Sequence, residues 1–286
     1  MDIAVVGAGR AGTAVAALWM RAGHRVVGAS GREATVDRVA RFLPGVPVLT
    51  AAEAAEAAEL VVVGVPDDLI AAVAGELAAG DVVADRWVAH LSGATPLSVL
   101  DAARDRGARR LAMHPLQTFP DVPAAIERIP GCTVAVGADD DEGFFVVERL
   151  AEDLGGRPFR LPDEHRAIYH AAAVFASNYL VAATAVAEIL LGVAGVPDPP
   201  AALAPLQQAT VANLARAGPA EALTGPAVRG DAGTIASNLD ALAASAPWAV
   251  APYVEMARVT LDLAVRSRRL SPEARSGVDE VLSRWS

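Results

Sequence analysis

The sequence predicts an α/β domain on a doubly wound, mainly parallel sheet, followed by an all-α domain. Three observations carry that expectation. Short β-branched runs alternate with alanine-rich helical stretches through the first half of the 286 residues. The first run opens directly into Gly-Ala-Gly-Arg-Ala-Gly at 7–12. After residue 162 the strand signal stops, and Ala, Leu and Val recur at helical spacing.

Taken in order, DIAVVGAG, HRVVGAS, ELVVVGVP, WVAHLSG, RRLAMHP and GCTVAVGA read as strands, each an apolar run closed by Gly, Pro or Ser. Helical stretches at 10–22, 33–43, 51–58, 67–78, 96–106 and 140–154 lie between them. Near-continuous apolar strands joined by helices imply a sheet covered on both faces. The second half is helical, with breaks near 192–200, 217–231 and 271. The composition shift sets two domains, 1–160 and 161–286.

The totals exclude several classes. A net charge of −10 argues against a nucleic-acid surface, which needs clustered Arg or Lys. The single cysteine, Cys132, cannot form an internal disulfide and suits a reducing cytoplasm. The opening MDIAVVGAG has no basic n-region, so no signal peptide is expected. The uncharged stretch 171–187 is interrupted by Ser177, Asn178 and Thr184, and reads as a buried helix rather than a membrane span. His165 and His170 have the wrong spacing for two ligands on one helix face, so no metal site is expected. All 24 basic residues are arginine, which rules out any mechanism built on a catalytic lysine.

Gly7, Gly9 and Gly12 stand in G-x-G-x-x-G order between a strand and a helix, the context in which the pattern binds a dinucleotide. Gly7 permits the turn, Gly9 admits a pyrophosphate and Gly12 packs helix on strand. The turn as a whole, with Ala8, Arg10 and Ala11, presents N–H groups to phosphate. The second strand ends in Ser30-Gly31-Arg32, where an NAD site places an acid on the ribose. A hydroxyl and a guanidinium suit a 2′-phosphate, so NADP(H) is favoured over NAD(H).

Ligands of open α/β sheets sit beyond the carboxyl ends of strands. Those ends read Val65-Pro66-Asp67, His90-Leu-Ser92-Gly93 and His114-Pro115-Leu116-Gln117-Thr118. Each has a plainer alternative: Pro66 can start a helix, Ser92 can cap one, and His114 can be a bonded core histidine. In the helical half, LTGPAVRGD at 223–231 offers either an interhelical loop capped by Asp231 or a carboxylate receptor built on Thr224, Gly225 and Arg229. In YHAAAVFASN, His170 and Asn178 lie eight residues apart, on one face if the stretch is a single helix.

The order GAGRAGT, VPDD, HLSG, HPLQTF, DEHRAIYHAAAVFASNY and LTGPAVRGD resembles an uncharacterised bacterial family of Rossmann-like proteins, whose helical half is called domain of unknown function 2520. That family is similar to the 6-phosphogluconate dehydrogenase-like superfamily, which includes ketopantoate reductase and pyrroline-5-carboxylate reductase. The resemblance implies a helix facing the nicotinamide that carries a Lys and, four residues on, an Asn. Here Asn178 matches the Asn and Val174 stands at the Lys position. The resemblance also implies a homodimer interleaved through the helical domain, and supports Arg229 and Thr224 as binders of a substrate carboxylate.

The expectation is an NADPH-dependent reductase of a small 2-oxo or imino acid. His170 would give the proton, Asn178 would orient the reacting group, and Ser92 and His114 would form the opposite wall, with Gln117 nearby. An imidazole, with a reference pKa near 6.5, can supply a proton at neutral pH. Two alternatives stand beside it: a nucleotide sensor without turnover, and a dehydrogenase of a cyclic acid resembling prephenate dehydrogenase, suggested by His114-Pro115.

Overall fold

A computed structural model of the chain describes residues 1–285. It separates into two compact units, Met1–Asn178 and Tyr179–Ser286. The sheet ends at Arg160, beside the composition shift, and the helix that follows stays with it.

The first unit holds β1 (Asp2–Val6), β2 (Arg25–Ser30), β3 (Leu60–Val63), β4 (Trp87–His90), β5 (Arg109–Pro115), β6 (Thr133–Ala138) and β7 (Arg157–Arg160). Its helices are α1 (Arg10–Arg21), α2 (Ala34–Phe42), α3 (Ala51–Glu56), α4 (Ile70–Ala79), α5 (Asp101–Arg104), α6 (Val122–Arg128), α7 (Asp141–Asp153) and α8 (Arg166–Ala176). The sheet order is β2-β1-β3-β4-β5-β6-β7. β1 to β5 are parallel, whereas β6 runs antiparallel to β5 and β7 parallel to β6. The chain therefore winds one way from β1 to β2 and the other way from β3 onward, which opens a crevice between the ends of β1 and β3.

The strand period of two sorts the core onto two faces. Ile3, Leu60, Val62, Leu111 and Val136 pack with residues of α1, α6 and α7 such as Trp19, Ala125 and Val147. Ala4, Val61, Val63 and Val88 pack with Ala54, Ile70 and Leu77 of α3 and α4. The seventh strand, RPFR, and α6 extend the expected pattern. α6 has little apolar period; the Asp121 side chain caps it at Ala124 N (2.8 Å), and Pro123 stands in its first turn.

The second unit contains α9 (Asn178–Val193), α10 (Pro199–Ala222), α11 (Pro226–Arg229), α12 (Ala232–Ser245), α13 (Val250–Arg266) and α14 (Pro272–Ser283). Ile235, Leu239, Val254, Leu261, Val278 and Leu282 form its core. Gly218, at φ 75°, breaks α10 ahead of Pro219. Arg269 Nη1 then donates to the carbonyls of Ala220 (2.6 Å) and Leu223 (2.7 Å), which closes the end of that helix.

Two expectations for the 171–187 stretch are corrected. It is not one helix: α8 stops at Ser177, whose φ −122° and ψ −68° leave the helical region, and α9 starts at Asn178. Nor is it a buried core helix. No residue of α9 is buried, and Leu180, Val181 and Ile189 are at least half exposed. Apolar composition records that a segment needs covering, not that its own chain supplies the cover.

Trp19 is fully buried and its indole N–H donates to the Leu150 carbonyl at 2.9 Å, joining α1 to α7. Trp19→Phe removes the donor and the tie between α1 and α7. It should lower unfolding stability by about 1–3 kcal/mol, read as a lower urea midpoint.

Candidate functional site: a nucleotide cradle and a buried histidine cluster

The glycine turn is held by backbone bonds. Gly7 N and Ala8 N both donate to the Ser30 carbonyl (3.0 and 2.8 Å), and Gly64 N donates to Val6 O (2.8 Å). Gly7 has φ 88°, and a Cβ there would lie 2.5 Å from Val65 Cγ1. A Cβ on Gly12 would lie 3.0 Å from Gly7 O, and one on Gly64 2.8 Å from the same oxygen. Thr13 N to Gly9 O, at 3.0 Å, is an early bond of α1. Arg10, Ala11 and Gly12 therefore hold the first-turn N–H groups that lack helical partners.

These glycines front a cavity of about 280 Å³. Gly7, Ala8, Gly9, Gly31, Arg32, Val65 and Pro66 line it. Gly64, Thr35 and Arg38 line it too and were missed. Arg38 Nη1 donates to the Ala8 carbonyl (2.9 Å), so a second guanidinium stands with Arg32. Its signal in the sequence was an arginine on α2, just past the loop that follows β2. Ser30 is buried and contributes its carbonyl to the turn. The Arg10 side chain is turned to the Pro120 carbonyl (3.0 Å).

The donor set fits a dinucleotide phosphate: glycines front the turn, the helix N-terminus offers N–H groups, and Arg32 and Arg38 line the same cavity.

Further along the same edge, Ser92 serves as a turn cap. Its Oγ accepts from Ala94 N (3.2 Å) and Thr95 N (3.1 Å) and donates to Asp67 Oδ2 (2.6 Å). Gln117 is folded back locally, its Oε1 accepting from Thr118 N at 2.8 Å. His114 lies flat against Gly93, where a Cβ would meet the ring at 2.8 Å. Its Nδ1 shares a 2.8 Å hydrogen bond with the Tyr169 hydroxyl, and the His170 ring stands 6.5 Å away, centroid to centroid. The structure thus brings His114 and His170 together. Asn178 lies past the helix break and is exposed.

Two members of this cluster were not foreseen. Tyr169 is one. Arg166 is the other: it is fully buried, with Nε donating to Asp163 Oδ1 at 2.6 Å, and Asp163 Oδ2 accepts from Leu97 N at 2.8 Å. His90 is also fully buried, and Ser92 N donates to its Nδ1 (3.2 Å). Among the described residues, the buried side-chain nitrogens and oxygens without a partner are His90 Nε2, Arg166 Nη1 and Nη2, and His170 Nδ1, all in this cluster.

The local electrostatics keep two histidines neutral. Burial, helped by the Arg166 charge, pushes His90 down to about 3 against an opposing pull from Asp163. Burial and then His170 push His114 down to about 4, opposed by Asp67. Burial pushes the Tyr169 hydroxyl up to about 12.

In the second unit, the 223–231 segment has Gly225 at φ 104° and Gly230 in the left-handed region, and Asp231 caps α12 through Thr234 N (3.0 Å). Arg229 is exposed, 3.8 Å from Asp231, and Thr224 is exposed.

The two depressed histidines set a pH dependence. The unfolded chain binds protons at these sites near pH 6.5, whereas the folded chain refuses them until about 4 and 3. Their contribution is therefore complete above about pH 6.5 and is lost as pH falls toward 4. Urea midpoints should fall across that window, and the fall should be shallower in His90→Gln.

Residues 1–115 match the family described as Rossmann-like domain, and residues 132–260 match domain of unknown function DUF2520. The second match begins inside the sheet, at β6, and runs into the helical half. No curated protein matches the chain. Among solved structures, protein BF3122 of Bacteroides fragilis, whose proposed activity is that of an NADP oxidoreductase, is 24% identical, with TM-score 0.76 over 91% of this chain and 98% of its own. Protein TM1727 of Thermotoga maritima is 23% identical, with TM-score 0.72 over 93% and 99%. An imine reductase of Myxococcus stipitatus in complex with NADP+ is 16% identical, with TM-score 0.64 over 100% and 99%. These likenesses extend the fold over both units, a Rossmann-like match over most of the sheet and a DUF2520 match running into the helical half.

Proposed function

We propose that this chain is an NADPH-dependent reductase of the carbonyl or imine carbon of a small carboxylate, with a 2-oxo acid such as ketopantoate as first candidate. The observation that carries the reading is the glycine-fronted cavity with Arg32 and Arg38 on its wall. The NADP-linked descriptions of the Bacteroides and Myxococcus proteins support it. When bound, the cofactor supplies a hydride to an electrophilic carbon. The first-turn N–H groups of Arg10 to Gly12 would hold its pyrophosphate, and the two guanidiniums its 2′-phosphate.

The chain's own part is the proton and the orientation. His170 is the proposed proton donor to the reacting oxygen or nitrogen, and Asn178 the group that orients it. Neutral His114 is a fixed hydrogen-bonding wall. Arg229, with the Gly225 turn, is the proposed carboxylate receptor of the second unit.

A second reading, NADP(H) sensing without turnover, is favoured by the missing lysine and by a Ser92 hydroxyl already committed to its turn.

The exposed apolar side chains of α9 and α10, including Val181, Ile189 and Leu206, support a homodimer through the helical half. The helical stretch Asp163–Val193 is by length and composition able to cross a membrane, so sedimentation without detergent tests the dimer directly. Val181→Asp with Leu206→Asp should convert a dimer to a monomer.

Fluorescence titration should show NADPH binding more tightly than NADH. Arg32→Ala with Arg38→Ala should weaken NADPH by about 10–100-fold and leave NADH nearly unchanged. Equal losses for both would remove the 2′-phosphate assignment. Absorbance at 340 nm against 2-oxo acids and cyclic imines should reveal turnover, and His170→Ala should lower kcat by about 10²–10⁴-fold. Tight NADPH binding with no turnover across the panel would favour the sensor.

A further inference from the structure

We propose that Arg166 is a positioning residue: seated over Gly137 and tethered through Asp163 to the Leu97 amide, it fixes the first turn of α8 so that Tyr169 and His170 close on His114. The use of that cluster in proton delivery rests on the reductase reading; the seating of the cluster does not.

The socket comes first. A Cβ on Gly137 would collide with Arg166 Nη2, and it would stand 3.6 Å from Ala112 Cβ. Gly137 pairs with Ala112, and Ala112 with His90, so the three lie side by side across β6, β5 and β4. Registered neighbours share a sheet face. The guanidinium therefore lies on the face that carries His90 and, two residues along β5 from Ala112, His114.

Next comes the tether. Asp163 takes Arg166 Nε with one oxygen and Leu97 N with the other, so the residues before α8 are pinned to the turn after β4. Arg110, ion-paired with Asp101 and Asp139, approaches the Leu97 carbonyl at 3.4 Å and holds that turn in place. Tyr169 and His170 follow Arg166 by three and four residues, the spacing that shares one helix face.

A purely structural filler would not need this chemistry. A buried charge whose Nη1 and Nη2 find no partner is costly, and an apolar side chain could occupy the same socket at lower cost. What the charge adds is an influence on the histidines: its field disfavours protonation of both His90 and His114. The other groups facing His114 are Tyr169 and His170 from α8, Asp67 from the turn after β3, and His90 from β4.

The test reads His114 without cofactor or turnover. Failure of the reductase reading would instead appear as an inactive unsubstituted chain. In the full chain carrying ¹⁵N-labelled histidine, Arg166→Met should move the His114 ring signals and raise its midpoint above about 4, with burial and His170 still holding it below the free value. Arg166→Lys, which keeps the charge, should stay within about 1 pH unit of the parent. If Arg166→Met does not fold, Gly137→Ala carries the test, because it leaves every charge in place and displaces the guanidinium; the same ring signals should move. The double variant should be more stable than the summed single losses predict, since the added methyl fills space the guanidinium leaves. A folded Arg166→Met or Gly137→Ala protein with His114 signals matching the parent would overturn the proposal, as would strict additivity in the double variant.

Discussion

The carboxyl edge of the sheet depends on one close approach of backbones, that of the Gly7 turn to Gly64. The Gly64 amide donates to Val6, and Gly7 O lies where a side chain on Gly64 or Gly12 would have to be. With any larger residue there, β1 and β3 could not keep their register while α1 starts directly above them. The crevice exists because the chain leaves β1 toward β2 and leaves β3 toward β4, in opposite directions. The glycine contact keeps that crevice open at its floor.

Local features of the sequence were the ones that could be read. The first six strands, the glycine turn and the breaks of the helical half follow from periodicity and punctuation within a dozen residues. Ser92 is an instructive middle case: the residue type allowed a cap or a chemical role, and only the distances to Ala94, Thr95 and Asp67 decide for the cap. Arg166 and Tyr169 were invisible because their meaning lies elsewhere in the chain. Nothing in DEHRAIYH shows that Gly137, 29 residues earlier, leaves room for a guanidinium. The 171–187 stretch misled because helical spacing says nothing about a break at one serine.

The histidine cluster shows how far burial can govern chemistry. His90 and His114 sit within reach of a cation and lose their protons, while Asp163, the natural counterion, is spent on Arg166 and on a backbone amide. The region thereby concentrates neutral imidazole rings beside a phenol whose proton is held more firmly than usual. His90, His114 and the Tyr169 phenol can donate and accept hydrogen bonds without changing charge near neutral pH, which suits positioning rather than proton transfer.

The two rims of the sheet bear on how this molecule can associate. Along β2 the 47–49 segment runs past the outer side, with Ala29 N bonded to Pro47 O and Leu49 N to Ala29 O, so the ladder there is already occupied. At the other rim β7 is four residues long, begins and ends in arginine, and includes Pro158, which has no amide to offer. Neither rim is suited to growing the sheet by adding a strand from another chain. Open-ended strand stacking is thereby closed to this sheet, and a copy of the chain that met another would find both rims already finished.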